Sequence, residues 1–356
     1  MEKTTKALEP IDASGLKDLV KKAETTPENY KIVSKAVTIN KGGFLNDTLV
    51  RDLTPVVIDE PCHLFGTNST PNPSEHVLAS LGACLAVGYM ANATAMEIPL
   101  EELRLELEGD MDISPVWGVA KTPGEQVAGF TEIRVNAFIK GDFTPEQEAT
   151  MQEKVLRWSP VANTMRNNVN LAALLHVSEG KEDKVLEPID GAGLKDLVQK
   201  AEATPENYRV VSKAVTINKG GFLNDTFVRD LNPVVIDEPC HLFGTNSTPN
   251  PSEHVLASLG ACLAVGYMAN ATDIGIPLEE LRLELEGDMD ISPVWGVAKT
   301  PEEQVAGFTE IRVKAYITGN LTAEQEKIMQ EKVLRWSPVA NTIRNNVNLV
   351  AHLNLA

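Results

Sequence analysis

Basic residues are scarce in this chain of 356 residues, with 32 Lys and Arg against 50 Asp and Glu and a formal charge of −18. Phosphate backbones and anionic membrane surfaces need a basic footprint, so nucleic acid and membrane are poor partners. Cysteine is scarce too: four are too few for a disulfide scaffold, and reduced thiols are expected. Aromatic residues make up only 5%. No Gly-x-Gly-x-x-Gly, P-loop or Gly-x-Ser-x-Gly occurs, so no nucleotide cofactor and no common serine-hydrolase arrangement is indicated. The longest apolar run, Val77 to Ala91, is interrupted by Ser80 and Gly82 and reads as too short for a bilayer span. Met1 to Pro10 is polar and lacks the pattern of a signal peptide, so a cytoplasmic location is expected. Asn-x-Thr triplets such as Asn92-Ala93-Thr94 therefore read as turn or helix residues.

What the chain does have is a sequence written twice. Leu8 to Ser178 aligns without a gap on Leu186 to Ala356, and only 26 of 171 positions differ. Pro55 to Thr94 recurs unchanged as Pro233 to Thr272. A period this long is a whole domain rather than a solenoid unit. The expected organisation is a first domain over 1–178, a polar linker over 179–185 and a second domain over 186–356.

Each copy reads as α+β. Leu16 to Ala23 suits a short amphipathic helix, Tyr30 to Asn40 a strand, and Lys41-Gly42-Gly43 a turn. Strands are expected over Thr48 to Leu53 and Val56 to Asp59. Asn72-Pro73 opens a helix over Ser74 to Thr94 that is apolar nearly all round, as a fully buried helix is. Leu103 to Met111 and Thr131 to Ile139 alternate as one-sided strands do. Thr144-Pro145-Glu146-Gln147 carries capping signals for a second helix, stopped by Ser159-Pro160. A last strand is expected from Val169 to Leu175. Differences between the copies are expected to avoid the functional pocket, with Ala95-Met96-Glu97 against Asp273-Ile274-Gly275 falling at a helix end.

Asp59-Glu60-Pro61, Gly66, Asn72-Pro73-Ser74-Glu75 and Ala79 through Cys84 resemble the osmotically inducible protein C / organic hydroperoxide resistance superfamily. Ser159-Pro160-Val161 through Val169-Asn170-Leu171 is similar to that family's closing segment, and both signatures recur at Cys262 and Ser337. The resemblance implies α+β subunits in which central helices are wrapped by antiparallel sheets from two partners. Here it implies an intrachain swapped pseudo-dimer, monomeric in solution. It also implies reduction of organic hydroperoxides by a helix cysteine, with an arginine holding the thiolate and a second cysteine resolving the product. The helix cysteine is Cys84 or Cys262. Serine replaces the resolving cysteine at Ser159 and Ser337, and Ser74 stands where the hydroperoxide-resistance branch has a glutamate.

Each candidate has a plainer reading. Cys84 sits among Gly82, Ala83, Leu85 and Ala86, where a free cysteine is often a small core residue, and burial alone raises a thiol pKa. Arg51 and Arg229 are the best cations for the thiolate, or else surface residues. Cys62 and Cys240 are substitute resolving thiols or loop residues; a Cys62–Cys84 crosslink within one copy is the expected form. His63 and His241 are substrate-site residues or bases, and His76 a second candidate base. Trp158 and Trp336, with Trp117, Phe65 and Tyr89, line an apolar pocket or simply fill the core. Cys62, His63, His76 and Cys84 match no compact zinc spacing, so neither metal nor cofactor is expected. The expected partners are a small apolar substrate and an external thiol reductant. Two other functions stay open: a cysteine-dependent hydrolase or transferase, and a small-molecule binding protein without chemistry.

Overall fold

The computed structural model describes residues 7–119, 127–181, 184–297 and 306–355. In the first copy the order is α1 (Ala13–Thr25), β1 (Lys31–Asn40), β2 (Asn46–Leu49), β3 (Val56–Ile58), α2 (Pro73–Ala95), β4 (Glu102–Asp112), β5 (Gly129–Lys140), α3 (Pro145–Trp158), α4 (Pro160–Arg166) and β6 (Asn170–Ser178). The second copy repeats it with α5 (Gly191–Ala203), β7 (Arg209–Asn218), β8 (Asn224–Phe227), β9 (Val234–Ile236), α6 (Pro251–Asp273), β10 (Leu278–Asp290), β11 (Gly307–Gly319), α7 (Ala323–Trp336), α8 (Pro338–Arg344) and β12 (Asn348–Leu355).

The copies interleave. One six-stranded sheet has the order β3-β2-β1-β10-β11-β6 and the other β12-β5-β4-β7-β8-β9, so strands of both copies build each sheet. The junctions are long: β1 runs antiparallel to β10 from Lys31 opposite Asp290 to Ile39 opposite Arg282, and β6 lies parallel to β11. The chain is therefore an α+β swapped pseudo-dimer of two tandem domains.

The two central helices lie between these sheets and pack on each other. Every residue from Pro73 to Ala86 in α2 is buried. At 23 residues each, α2 and α6 are long and apolar enough to cross a bilayer by length and composition, yet 78% and 72% of their apolar windows are enclosed by protein. The run counts short in the sequence only when Ser80 is taken as a break; its hydroxyl instead bonds the His76 carbonyl within the helix.

Each helix presses closest on a strand of the other copy. A Cβ at Gly82 would sit 2.1 Å from Thr216 Oγ1 on β7, and one at Gly260 would sit 2.1 Å from Thr38 Oγ1 on β1. These threonines are buried and already bonded to Thr226 and Thr48 at 2.8 Å. Gly82→Ala must push helix from sheet, so its urea midpoint should fall by the equivalent of about 1–3 kcal/mol, as overpacking does. An unchanged midpoint would mean that the helix and sheet are not in this contact.

Three of the boundaries that differ from expectation have a clear cause. β2 ends at Leu49 rather than Leu53, because the chain turns at Arg51, whose φ is 49°. Ser159-Pro160 ends α3 but also starts α4: the Ser159 hydroxyl accepts from Ala162 N–H, and Pro160 occupies the first turn. The last strand extends to Ser178, because β11 of the other copy provides a parallel partner along its full length.

Candidate active site

Cys84 and Cys262 lie on α2 and α6, each about three turns in. Each thiol is buried and faces the residue that separates two helices of its own copy. Cys84 Sγ is 3.0 Å from Ser159 Oγ, and Cys262 Sγ is 3.1 Å from Ser337 Oγ. The resolving position of the family pattern is thus in contact with the thiol, but carries a hydroxyl. Burial pushes both thiols up to about 12; the serine hydroxyl and the Val161 or Val339 N–H pull the other way. Both thiols are uncharged near neutral pH.

A cavity of about 920 Å³ opens at Cys262, lined from both copies. The second copy supplies Cys262, Ser337, Trp336 and Arg229, and the first supplies the Glu60-to-Leu64 loop and Trp117. The loop that carries Glu60, Pro61 and His63 therefore attends the other copy's thiol. By the same repeat, Glu238 attends Cys84, and it is one of the groups that raise that thiol's pKa. The loop that carries Cys62 thus lies on the side of Cys262, against the expected pairing of Cys62 with Cys84 in one copy. Cys62 and Cys240 are both exposed and free, and Cys62 does not line the cavity although Pro61 and His63 do.

Local chemistry fixes this loop. Asp59 Oδ2 accepts from the backbone and hydroxyl of Thr67 and of Ser69, at 2.6–3.1 Å. Burial works against ionisation of Asp59, but these donors outweigh it and its pKa is lowered. Gly66 is required where the chain doubles back: a Cβ there would lie 1.8 Å from the Glu60 carbonyl oxygen.

Arg51 and Arg229 are held by carboxylates across the copies. Arg229 Nε and Nη2 donate to Glu75 at 2.7 and 2.8 Å, and Arg51 makes the same fork with Glu253. Each also contacts an asparagine of the other copy, Asn68 or Asn246. Glu75 is at the same time the capping-box residue of α2, accepting from Asn72 N–H at 2.8 Å. Arg229 shares the cavity with Cys262, but its guanidinium is committed to Glu75 rather than to the thiol. Glu60, next to this pair, is driven up to about 8 by burial and by the charges of Glu75 and Asp59. It is mostly protonated at neutral pH, a state that nothing in the sequence signals.

The other candidates divide. His63 and Trp336 line the cavity, and Trp158 and Trp336 each stack under the preceding arginine, 4.9 and 4.5 Å from the ring centre. His76 does not line it. It meets His254 between the central helices, with ring centroids 5.9 Å apart and planes within 11°. Neither ring nitrogen of either histidine has a hydrogen-bond partner among the described residues. Among those residues no group of three or more His, Cys, Asp or Glu is placed to hold a metal.

Differences between the copies do not all avoid the site. Gly275 does sit just past α6 with φ 70°, as a helix-end glycine does. Asp273, Gln199 and Val210, however, line the cavity, where the first copy has Ala95, Lys21 and Ile32. The cavity follows one face of α6 through Cys262, Gly266, Ala269 and Asp273. That i, i+4, i+7, i+11 spacing was available as a signal.

A structure search finds the crystal structure of an OsmC-like protein from Mycoplasma pneumoniae, with 18% identity and a TM-score of 0.31, covering 37% of this chain and 86% of that one. No curated protein matches this chain. The family profile of OsmC-like proteins matches twice, at residues 66–173 and 244–351, each match spanning a central helix and its cysteine. The chain belongs to the OsmC-like protein family, as a tandem duplication of its domain.

Proposed function

We propose that the chain reduces organic hydroperoxides at Cys84 and Cys262. The observation that carries this is the placement of Cys262 in an open-mouthed, largely apolar cavity beside a hydroxyl, an Arg–Glu fork and the carboxyl group of Glu60. The thiol sulfur attacks the distal peroxide oxygen and the O–O bond breaks. Sulfur becomes a sulfenic acid, and the departing alkoxide takes a proton to leave as an alcohol. The Ser337 hydroxyl and the Val339 N–H ease loss of the thiol proton, since both lower the thiol pKa. Glu60, protonated at neutral pH, is the cavity group suited to protonate the alkoxide. Two equivalents of an external thiol then return the sulfenic acid to thiol, giving a disulfide and water. The unit is one chain in a cytoplasmic setting, with a small apolar substrate as its partner.

The thiol pKa of about 12 favours one other reading, a binding protein whose cysteines are inert core residues. One experiment separates them. Stoichiometric cumene hydroperoxide with a sulfenic-acid trap should yield adducts at Cys84 and Cys262, and none in the chain carrying Cys84→Ser and Cys262→Ser. No Cys62–Cys84 crosslink should form. Untouched helix thiols with the hydroperoxide persisting would end the peroxidase reading and leave the binding one.

A further inference from the structure

The mouths of the two sites differ in charge although their chemical centres are the same. At the Cys262 cavity the charged lining away from the centre is Lys195, Glu202, Lys213, Asp273 and Lys332. The residues 178 positions earlier are Lys17, Glu24, Lys35, Ala95 and Lys154. Gln199 also lines the Cys262 cavity, and its counterpart is Lys21. α1 packs on Ser292–Trp295 of the other copy and on α2, as α5 packs on Ser114–Trp117 and on α6, so the counterparts occupy the same places. Some of these charges are neutralised. Lys213 pairs with Glu108 and Lys35 with Glu286, equally on both sides. Lys17 pairs with Glu97, whose counterpart is the uncharged Gly275. With these pairs set aside, Lys21 and Lys154 stand against Glu24 at one mouth. At the other, Lys195 and Lys332 stand against Glu202 and Asp273. The Cys84 mouth is the more positive, in a chain that carries −18 overall.

We infer that the two sites have diverged in ligand preference: the Cys84 site favours amphipathic anions, and the Cys262 site treats charged and neutral ligands more evenly. The residues that decide this are Lys21, Ala95 and Glu97 against Gln199, Asp273 and Gly275. An apolar cavity takes the ligand's body and the mouth meets its head group. The inference rests on the cavity as the substrate site, but not on the thiol chemistry. The difference of one unit charge near a solvated mouth changes affinity by roughly two- to fivefold, and salt screens it.

The test is calorimetric titration of the full chain with dodecanoate and with dodecanol, both kept below aggregation. Lys21→Gln with Ala95→Asp and Glu97→Gly gives both mouths the second copy's character, and Gln199→Lys with Asp273→Ala and Gly275→Glu gives both the first's. The first variant should bind dodecanoate at two equal weaker sites, the second at two equal tighter sites, and the unaltered chain at one of each. The two- to fivefold gap should close in roughly 0.5 M salt, and dodecanol should not distinguish the three proteins. Equal dodecanoate affinities in both variants, or no dodecanoate binding, would overturn the inference. A chain that binds as described but never forms a sulfenic acid would refute the peroxidase reading and leave this one standing.

Discussion

Under the proposed chemistry, replacing Ser159 and Ser337 with cysteine should raise hydroperoxide turnover and give each helix cysteine a resolving partner. Ser159 Oγ lies 3.0 Å from Cys84 Sγ, and Ser337 Oγ lies 3.1 Å from Cys262 Sγ. A disulfide needs its sulfurs about 2.05 Å apart, so closure asks for about 1 Å of movement between side chains already in contact. In the unaltered chain a sulfenic acid has no thiol at this position, and the exposed Cys62 does not line the cavity. It must wait for an external thiol or be oxidised further, irreversibly. With Ser159→Cys and Ser337→Cys, peroxide should give two intrachain disulfides. Turnover driven by a dithiol reductant should rise by about tenfold or more as the trap at sulfinic acid is avoided. The cost is the α4 and α8 caps, where Ser159 and Ser337 accept N–H bonds, about 1 kcal/mol each. Thiol counting and peptide mapping decide. If Cys84, Cys262 and both introduced cysteines are all still free thiols after peroxide, the helix cysteine is never oxidised.

The second large effect is on stability against pH. His76 and His254 are pushed down to about 3, by burial first and, for His76, by the charge of its partner. Their folded pKa lies below the unfolded value of about 6.5, so the native state binds fewer protons and stability falls as pH drops below 6.5. Glu60 and Glu238 are raised to about 8, chiefly by burial. Their stabilisation is full below the unfolded value and is lost as pH rises through the folded one. Between about pH 4.5 and 6.5 the two pairs oppose each other and nearly cancel. Outside that window each acts alone: about 4 kcal/mol is lost from pH 4.5 to 3 through the histidines, and about 4 kcal/mol from pH 6.5 to 8 through the glutamates. Asp59, with its lowered pKa, adds to the acid limb. Urea unfolding from about pH 3 to 9 should trace this plateau. His76→Leu with His254→Leu should shrink the acid limb and leave the alkaline one. Stability that keeps rising from about pH 6.5 to 8 would contradict the half-buried, protonated glutamates.

Much of the fold was legible because its signals are local. The apolar run of α2, the alternation in β4 and β5 and the Thr144 capping box each follow from the period or cap chemistry of one segment. α4 was not legible, because a Ser-Pro pair closes one helix and opens the next with the same two residues. The thiol and its serine can be named from sequence, but which copy's loop serves which thiol cannot. Pro55 to Thr94 is identical in both copies, so the sequence contains nothing that distinguishes Glu60 from Glu238 as the neighbour of Cys84. Only the interleaving of β1 with β10 and β4 with β7 decides it. The charge of Arg51 is visible in the sequence, but its commitment to Glu253 depends on a contact 202 residues away in the chain.

The interleaving has a consequence for inheritance. Each site is assembled from two stretches of one gene, the thiol and arginine from one and the glutamates from the other. Two lesions therefore do not simply add. Cys84→Ser with Glu238→Gln strikes one site twice and spares the other, whereas Cys84→Ser with Glu60→Gln strikes both. Half the activity should survive the first combination, and less should survive the second. The duplicated gene behaves like a pair of alleles that complement each other within a single polypeptide.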